Sequence, residues 1–148
     1  MTPFVTMRRA LSDRHLGAAL GGDSWLPWRV LLIAAIGEAL TDEERTIFAK
    51  LTGRECGPGE RVDELWCIIG RRSGKSRAVA GLVYLATMAD YRAQLVPGER
   101  GVVLCLAQTQ EQAQVVLEYV AGIIAPPIPS MSPLWQRRTR SIRYLRGL

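Results

Sequence analysis

The sequence predicts an α/β protein: a helical N-terminal segment followed by a parallel sheet with flanking helices, of which this chain carries only the first part. Residues 65–69, in a strand predicted at 64–69, and residues 102–106 are short apolar runs bounded by turn residues, the pattern of strands buried on both faces. Each run precedes a segment with a helical pattern. The order strand, helix, strand, helix implies two parallel strands joined by a right-handed crossover. Two strands are few for such a sheet, so we expect it to be incomplete and its strand edge to promote aggregation.

Three helices are predicted in the N-terminal segment, residues 1–62. The first is short, is capped near Ser12 and ends before a glycine pair. The second has Pro27 in its first turn, where a helix tolerates proline, and continues through the apolar run at 28–40. Thr41 and Glu44 form a capping-box pair for the third helix, which a glycine terminates. The predicted spans are 12–20, 28–40 and 41–52.

The strand and helix alternation occupies residues 63–124, and a tail follows it. Residues 76–89 are apolar at nearly every position and too numerous for a strand, so we predict a buried helix. Thr109 and Gln112 form a capping pair for the last helix. Residues 125–148 are rich in proline and arginine and contain no acidic residue, so we expect them to lie outside the core.

The composition predicts a folded, basic protein. Of its 148 residues, 48% are hydrophobic and 22% are charged, which is enough apolar material for a buried core. The net charge of +5 favours a polyanionic partner, with a solvated basic surface as the alternative. Three cysteines without Cys-x-x-Cys spacing favour free thiols in a reducing cytoplasm. Because no stretch has the ~18 consecutive apolar residues of a membrane span, we expect a soluble, unexported protein without a membrane partner.

A glycine-rich turn lies between the first predicted strand and the helix after it. In this position backbone N–H groups can surround a phosphate at a helix N-terminus, and glycine permits the tight curvature. Lys75 is then expected to reach the β- and γ-phosphates of ATP, and the Ser76 hydroxyl to ligate Mg²⁺. The sequence therefore predicts a P-loop that binds both ATP and Mg²⁺. Its residues are Gly70, Arg71, Arg72, Ser73, Gly74, Lys75 and Ser76.

The predicted loop departs from the pattern G-x-x-x-x-G-K-[ST], because its first glycine comes one residue late. A strand-to-helix turn with a surface lysine is the alternative. We predict that Lys75 and Arg71 are catalytic, since a guanidinium group beside the phosphates stabilises charge that develops during phosphoryl transfer. Solvent-facing charge, or pairing with Asp63 or Glu64, is the alternative for Arg71 and the interpretation that we prefer for Arg72.

A resemblance to a known family rests on three stretches of the sequence. They are residues 66–76, residues 101–113 and the Leu-Pro-Trp-Arg run at 26–29. Together they resemble the N-terminal ATPase domain of bacteriophage terminase large subunits, the motors that package DNA into capsids. The resemblance covers roughly residues 11–124. Its most specific part is the shortened loop, which is similar to the family's deviant Walker A.

This resemblance implies an ASCE-type P-loop NTPase fold and an ATP-driven function in DNA packaging. It implies that Arg71 is an internal arginine finger, while Lys75 and Ser76 keep their phosphate and magnesium roles. The partners that it implies for the full-length motor are double-stranded DNA, the terminase small subunit and the portal protein, in the cytoplasm of a bacterial host cell. Trp28 stands in the family's adenine-recognition segment, where Arg29 replaces a frequent glutamine.

Catalysis is expected to be incomplete. Hydrolysis in this family needs an apolar strand that ends in Asp-Glu, and no such segment follows residue 107. Glu111 and Glu118 are the acidic residues beyond residue 100, so the family's nuclease carboxylates are missing as well. The alternatives are another P-loop ATPase of helicase or kinase type, and a vestigial, non-enzymatic module that binds nucleic acid or phage proteins. Residues 106–112 resemble a segment that faces nucleic acid in related helicases, with an ordinary capped helix start as the alternative.

Overall fold

The computed structural model describes residues 2–3, 5–13, 16–87, 89–90, 94–124, 135–138 and 141–144. Its α-helices are α1 (Met7–Leu11), α2 (Leu16–Ala19), α3 (Leu26–Ala35), α4 (Asp42–Thr52), α5 (Lys75–Thr87) and α6 (Gln110–Ile124). A 3₁₀ turn, Asp23–Trp25, leads into α3. Four short strands form two antiparallel pairs: β1 (Thr2–Pro3) with β2 (Ala89–Asp90), and β3 (Trp135–Arg138) with β4 (Ser141–Tyr144).

The chain divides into two compact units. The first, Val5–Ala78, contains α1 to α4 and the first turn of α5, and we call it the N-terminal unit. The second consists of Met1–Phe4 and Val79–Leu148 and contains the rest of α5, α6 and both strand pairs. The predicted phosphate loop lies entirely in the N-terminal unit, as do the residues that contact it.

The predicted parallel sheet, and with it the α/β P-loop NTPase fold class, is wrong for the part of the chain that the structure describes. Residues 64–70 and 99–107 contain no regular secondary structure, and both described strand pairs are antiparallel. The apolar side chains of the two runs are largely exposed: Trp66 is 83%, Ile68 100% and Leu106 90% accessible. A strand that is apolar on both faces is stable only where neighbouring strands pair with its backbone and other layers cover it. The described residues supply neither, so their architecture is mainly helical.

Helix α3 forms the centre of the core of the N-terminal unit. Pro27 lies in its first turn, and Val30 and Leu32 are fully buried in its middle. Helices α1 and α4 both pack against α3, and they contribute the buried side chains of Met7 and Phe48. Burial of an aliphatic or aromatic side chain of this size contributes about 1.5–3 kcal/mol. The apolar character of α3 therefore positions the helices around it.

Helix α4 confirms the predicted caps. The Thr41 hydroxyl accepts the N–H of Glu44 at 3.2 Å, and the Glu44 carboxylate accepts the N–H of Thr41 at 2.9 Å, which completes the capping box. Gly53 ends the helix with a φ of 70°, and its N–H donates to the Ala49 carbonyl at 2.8 Å. The third predicted helix thus has the predicted ends.

The first predicted helix is divided in two and begins earlier than expected. Thr6 caps α1, because its hydroxyl accepts the N–H of Arg9 at 3.1 Å. Ser12, which was expected to start a helix, ends α1 instead, and its hydroxyl donates to the Arg8 carbonyl at 3.0 Å. A serine side chain can bond to backbone groups at either end of a helix. The presence of Ser12 alone therefore does not show whether a helix begins or ends there.

Polar contacts join α1 to the start of α4. The Glu38 carboxylate accepts the backbone N–H groups of Met7 and, at 3.0 Å, of Arg8, in the first turn of α1. These donors have no partner within the helix, so a carboxylate is favourable there. The Arg8 guanidinium donates to Glu44 through two bonds of 2.8 Å and to the Ala39 carbonyl at 2.8 Å. The segment between α3 and α4, which contains Glu38 and Ala39, is thereby bonded to α1.

The second unit is built on α6 and the C-terminal part of α5. Leu85 of α5 and Val120 of α6 are both buried, and β4 lies beside α6. Of the predicted tail, residues 125–148, only the pair of β3 and β4 is described, with Trp135 opposite Tyr144. The other residues of the tail lie outside the described part, so its expected position outside the core stays a prediction.

Candidate phosphate-binding loop

Five of the seven predicted loop residues, 70–74, lie directly before α5, and the other two, Lys75 and Ser76, begin that helix. Arg71 and Arg72 form the tip of the loop, where Arg72 has a φ of 60°, and Gly74 has a φ of 81°. Helix α5 starts at Lys75, and the Gly74 carbonyl accepts the N–H of Ala78 at 3.0 Å. The first N–H groups of a helix have no partner within it and give this end a partial positive charge. The loop therefore ends at a group of donors that suits an anion.

The Lys75 side chain folds back over the loop. Its Nζ donates to the carbonyl oxygens of Gly70 at 2.7 Å and Ile69 at 3.1 Å. The Ser73 hydroxyl donates to the same Gly70 carbonyl at 2.9 Å. No carboxylate in the described part of the chain pairs with Lys75, so its partners there are carbonyl dipoles. An anionic oxygen is a stronger acceptor than a carbonyl and can replace one of them.

Two tryptophans at the start of α3 contact the loop. The Trp28 indole N–H donates to the Ser73 carbonyl at 2.7 Å. The Trp25 ring lies against Gly74, where a Cβ atom would lie 2.5 Å from its Cη2. The Arg77 guanidinium lies 4.8 Å from the centre of the Trp25 ring, within cation–π distance. Gly74 thus combines a positive φ with a ring in the place of a side chain, so it must be glycine.

Sequence reasoning missed Trp25, and it connected Trp28 with nucleotide only through the family resemblance. The available signal was the Trp-x-x-Trp spacing, which places two indoles on the same side of a helical turn. Aromatic pairs at this spacing usually belong to a hydrophobic core. The spacing therefore predicts that the two indoles pack against another part of the protein, but it does not predict that this part is the loop.

The two loop arginines are exposed, as are the acidic residues proposed as their partners. Within the described ranges neither Arg71 nor Arg72 forms an ion pair. The Glu64 carboxylate accepts the Trp66 indole N–H at 2.9 Å instead. The pairing of the arginines with Asp63 or Glu64 is therefore not observed, and the exposed guanidinium groups can reach an anion from solvent.

The candidate magnesium ligand is the Ser76 hydroxyl, half-buried in the first turn of α5. The residues that the structure describes include no group of three or more His, Cys, Asp or Glu side chains that could hold a metal ion. A single hydroxyl fits Mg²⁺ in a nucleotide complex, because phosphate oxygens and water commonly supply most of its ligands. The donor set therefore fits Mg²⁺ bound together with a triphosphate.

The cysteines are free thiols, as predicted. Cys56 is exposed, while Cys67 and Cys105 are partly covered. Burial raises the pKa of the Cys67 thiol, which disfavours the nucleophilic thiolate. No helix among the described residues has both the length and the apolar character needed to cross a lipid bilayer.

The start of α6 has the contacts of a capped helix. The Thr109 hydroxyl accepts the N–H of Gln112 at 3.3 Å, as the predicted capping pair requires. The pKa of Glu111 is lowered, first by its own backbone N–H and then by the Thr109 hydroxyl. The capping pair predicted for this helix is therefore present.

Three features of the loop favour a polyphosphate ligand. They are the donors at the start of α5, the Lys75 ammonium group held by carbonyls, and the exposed guanidinium groups of Arg71 and Arg72. All of them lie within seven consecutive residues, so their relative positions follow from local geometry. Comparison of the chain with family models, with curated proteins and with solved structures gives no match.

Proposed function

We propose that residues 70–76 bind the triphosphate of ATP together with Mg²⁺. The observation that carries this proposal is the position of Lys75 Nζ, which lies 2.7 Å from the Gly70 carbonyl and 3.1 Å from the Ile69 carbonyl. Lys75 is also the first residue of α5. Its ammonium group and the N–H groups of the helix therefore lie at the same end of α5, where a phosphate can bond to both.

Four residues of the loop have roles in this proposal. Lys75 contacts the β- and γ-phosphates, and the Ser76 hydroxyl supplies a ligand to Mg²⁺. Arg71 lies beside the γ-phosphate, where its charge offsets charge that develops on transfer. Gly74 keeps the backbone conformation of the loop, because it has a positive φ and a side chain would collide with Trp25.

On the resemblance of its sequence, we propose that the chain is the N-terminal, ATP-binding part of a phage or prophage terminase large subunit. In that protein it would belong to a DNA-packaging motor that works with double-stranded DNA, the small subunit and the portal protein in the bacterial cytoplasm. No Asp-Glu pair follows the loop in the sequence. The chain is therefore proposed to bind ATP without hydrolysing it at a measurable rate.

Thermal melting with Mg-ATP tests the binding site. A ligand at 100 times its Kd stabilises a protein by about 2.7 kcal/mol, which raises the Tm of a chain of this size by roughly 5–10 °C. Lys75→Ala should abolish the rise, and Lys50→Ala, which removes an exposed lysine on α4, should preserve it. Ser76→Ala should weaken binding of Mg-ATP but leave binding of ATP in EDTA unchanged. Equal stabilisation of the wild type and Lys75→Ala would contradict the proposal.

A non-enzymatic nucleic-acid module is the second candidate. The exposed guanidinium groups of Arg71 and Arg72 and the net charge of +5 favour it. Its signature would be the absence of any nucleotide effect on melting, with DNA binding that weakens steeply as salt rises. Arg71→Ala and Arg72→Ala would each lower the slope of the logarithm of the binding constant against the logarithm of salt concentration by about one.

A further inference from the structure

The hydrogen bond between Trp28 and Ser73 fixes one peptide of the phosphate loop. The indole N–H donates to the Ser73 carbonyl at 2.7 Å, and none of the described peptide bonds is cis. In a trans peptide the carbonyl and the next N–H point in opposite directions. The N–H of Gly74 therefore points away from the Trp28 indole. It is the N–H immediately before α5, where an anion would bind.

The Gly74 end of the Ser73–Gly74 peptide is held in place as well. Gly74 has a φ of 81°, and the Trp25 ring fills the space where its side chain would be. Trp28 is only 9% exposed, so its indole N–H has little access to water as an alternative partner. Rotation of the peptide would break the bond between Trp28 and Ser73 and leave two partly buried groups without partners, which is unfavourable.

We infer that Trp28 is a positioning residue for triphosphate binding, because its indole N–H holds the Ser73–Gly74 peptide with the Gly74 N–H turned towards the anion. The inference rests on the proposed function, and it adds a residue outside the loop to the site. Trp28 acts here through the backbone of the loop. It therefore affects the phosphate part of a ligand whether or not a nucleoside is attached.

The test measures the Kd of Mg-ATP and of inorganic tripolyphosphate by calorimetry for the wild type and for Trp28→Phe. Phenylalanine keeps a ring in the core but removes the donor. Loss of one hydrogen bond that orients a backbone donor should raise the Kd roughly five- to tenfold. The rise should be the same for both ligands. The matched control is Trp66→Phe, which removes an indole donor bonded to Glu64 on an exposed segment and should leave both Kd values unchanged.

A second variant guards against loss of packing in Trp28→Phe. Benzothienylalanine at position 28, introduced by site-specific incorporation, has nearly the shape of tryptophan but carries sulfur in place of the N–H group. It should raise both Kd values by the same factor as Trp28→Phe. In ¹⁵N spectra the Gly74 amide resonance should shift in this variant and lose its response to tripolyphosphate.

The outcomes separate the inference from the proposed function. If the wild type binds both ligands and benzothienylalanine leaves both Kd values unchanged, the inference fails while the proposed function stands. Weaker binding of Mg-ATP with unchanged binding of tripolyphosphate would place Trp28 against the nucleoside and would also overturn the inference. If the wild type binds neither ligand, the proposed function fails and the inference fails with it.

Discussion

Two hydrogen bonds of 2.8 Å join the guanidinium group of Arg8 to the carboxylate of Glu44. The same carboxylate accepts the N–H of Thr41 in the capping box of α4. One side chain thus caps α4 and connects it to α1, and the carboxylate must be ionised to accept all three bonds. Paired, charge-assisted bonds of this kind are stronger than a single surface ion pair.

The first prediction concerns the effect of pH on this pair. The Arg8 guanidinium is the main cause of the lowered pKa of Glu44. A carboxyl group whose pKa is lowered by folding stabilises the fold at pH values above its unfolded pKa, and this contribution is lost as pH falls through its folded pKa. Arg8→Met should lower the free energy of unfolding by about 1 kcal/mol at pH 7, a figure that allows for solvent screening of the partly exposed Arg8. Urea unfolding at pH 7 and in the acid range measures the difference.

The control for this prediction is Arg45→Met. Arg45 pairs with Asp42 at 2.8 Å within α4, and both side chains are largely exposed, so its removal should cost little at either pH. A loss of stability in Arg8→Met that is as large at acid pH as at pH 7 would show that packing of the arginine stem, rather than the charge of Glu44, is responsible.

The second prediction compares two glycines with positive φ. Gly53 has a φ of 70° and open space around it, whereas Gly74 has a φ of 81° and the Trp25 ring 2.5 Å from the point that a Cβ atom would occupy. Gly53→Ala should therefore cost only backbone strain, about 1 kcal/mol. Gly74→Ala should cost about 2–4 kcal/mol, because the collision adds to the strain. Thermal or urea unfolding of both variants measures the costs.

A double variant separates the collision from the strain. When Trp25 is replaced by alanine, the further cost of Gly74→Ala should fall to that of Gly53→Ala. An unchanged cost in the Trp25→Ala background would mean that the ring does not lie against Gly74 as the structure places it.

The third prediction concerns backbone exchange in the first apolar run. Residues 65–69 have no regular secondary structure, and Trp66 and Ile68 are exposed, so their amides should exchange with solvent rapidly. The amides in the middle of α4, around Phe48, should exchange far more slowly. Hydrogen exchange followed by mass spectrometry distinguishes the two segments. Protection of residues 65–69 equal to that of α4 would indicate a paired strand, contrary to the structure.

Local signals were enough to predict several helix ends. The capping box of Thr41 and Glu44 and the terminal Gly53 depend on residues within one turn of each other, so the sequence determines them. The parallel sheet could not be predicted in this way. An apolar run such as residues 65–69 indicates a buried strand only if partners for its backbone exist elsewhere, and short-range pattern carries no information about those partners.

In the phosphate loop, too, the local features could be predicted from the sequence and the long-range contacts could not. Its glycines, Lys75 and its place before a helix could be read from consecutive residues, and the start of α5 agrees with them. The contacts from Trp25 and Trp28 span more than 40 residues of sequence. Only the packing of α3 against the loop brings these side chains to Ser73 and Gly74. The side chains that orient the loop could therefore not be predicted from the sequence.

Helix α3 holds the chain on either side of residues 63–72. At its C-terminal end the Ala35 carbonyl accepts the N–H of Val62 at 3.0 Å, and at its N-terminal end Trp28 holds Ser73. The helix rises only about 10 Å between Trp28 and Ala35, whereas the eleven residue steps from Val62 to Ser73 could extend over roughly 36 Å. The connecting length of chain is thus much longer than the gap that it bridges. The connecting chain therefore cannot run straight between its two attachments and has to loop away from α3, and Trp66 lies on this loop with most of its surface exposed.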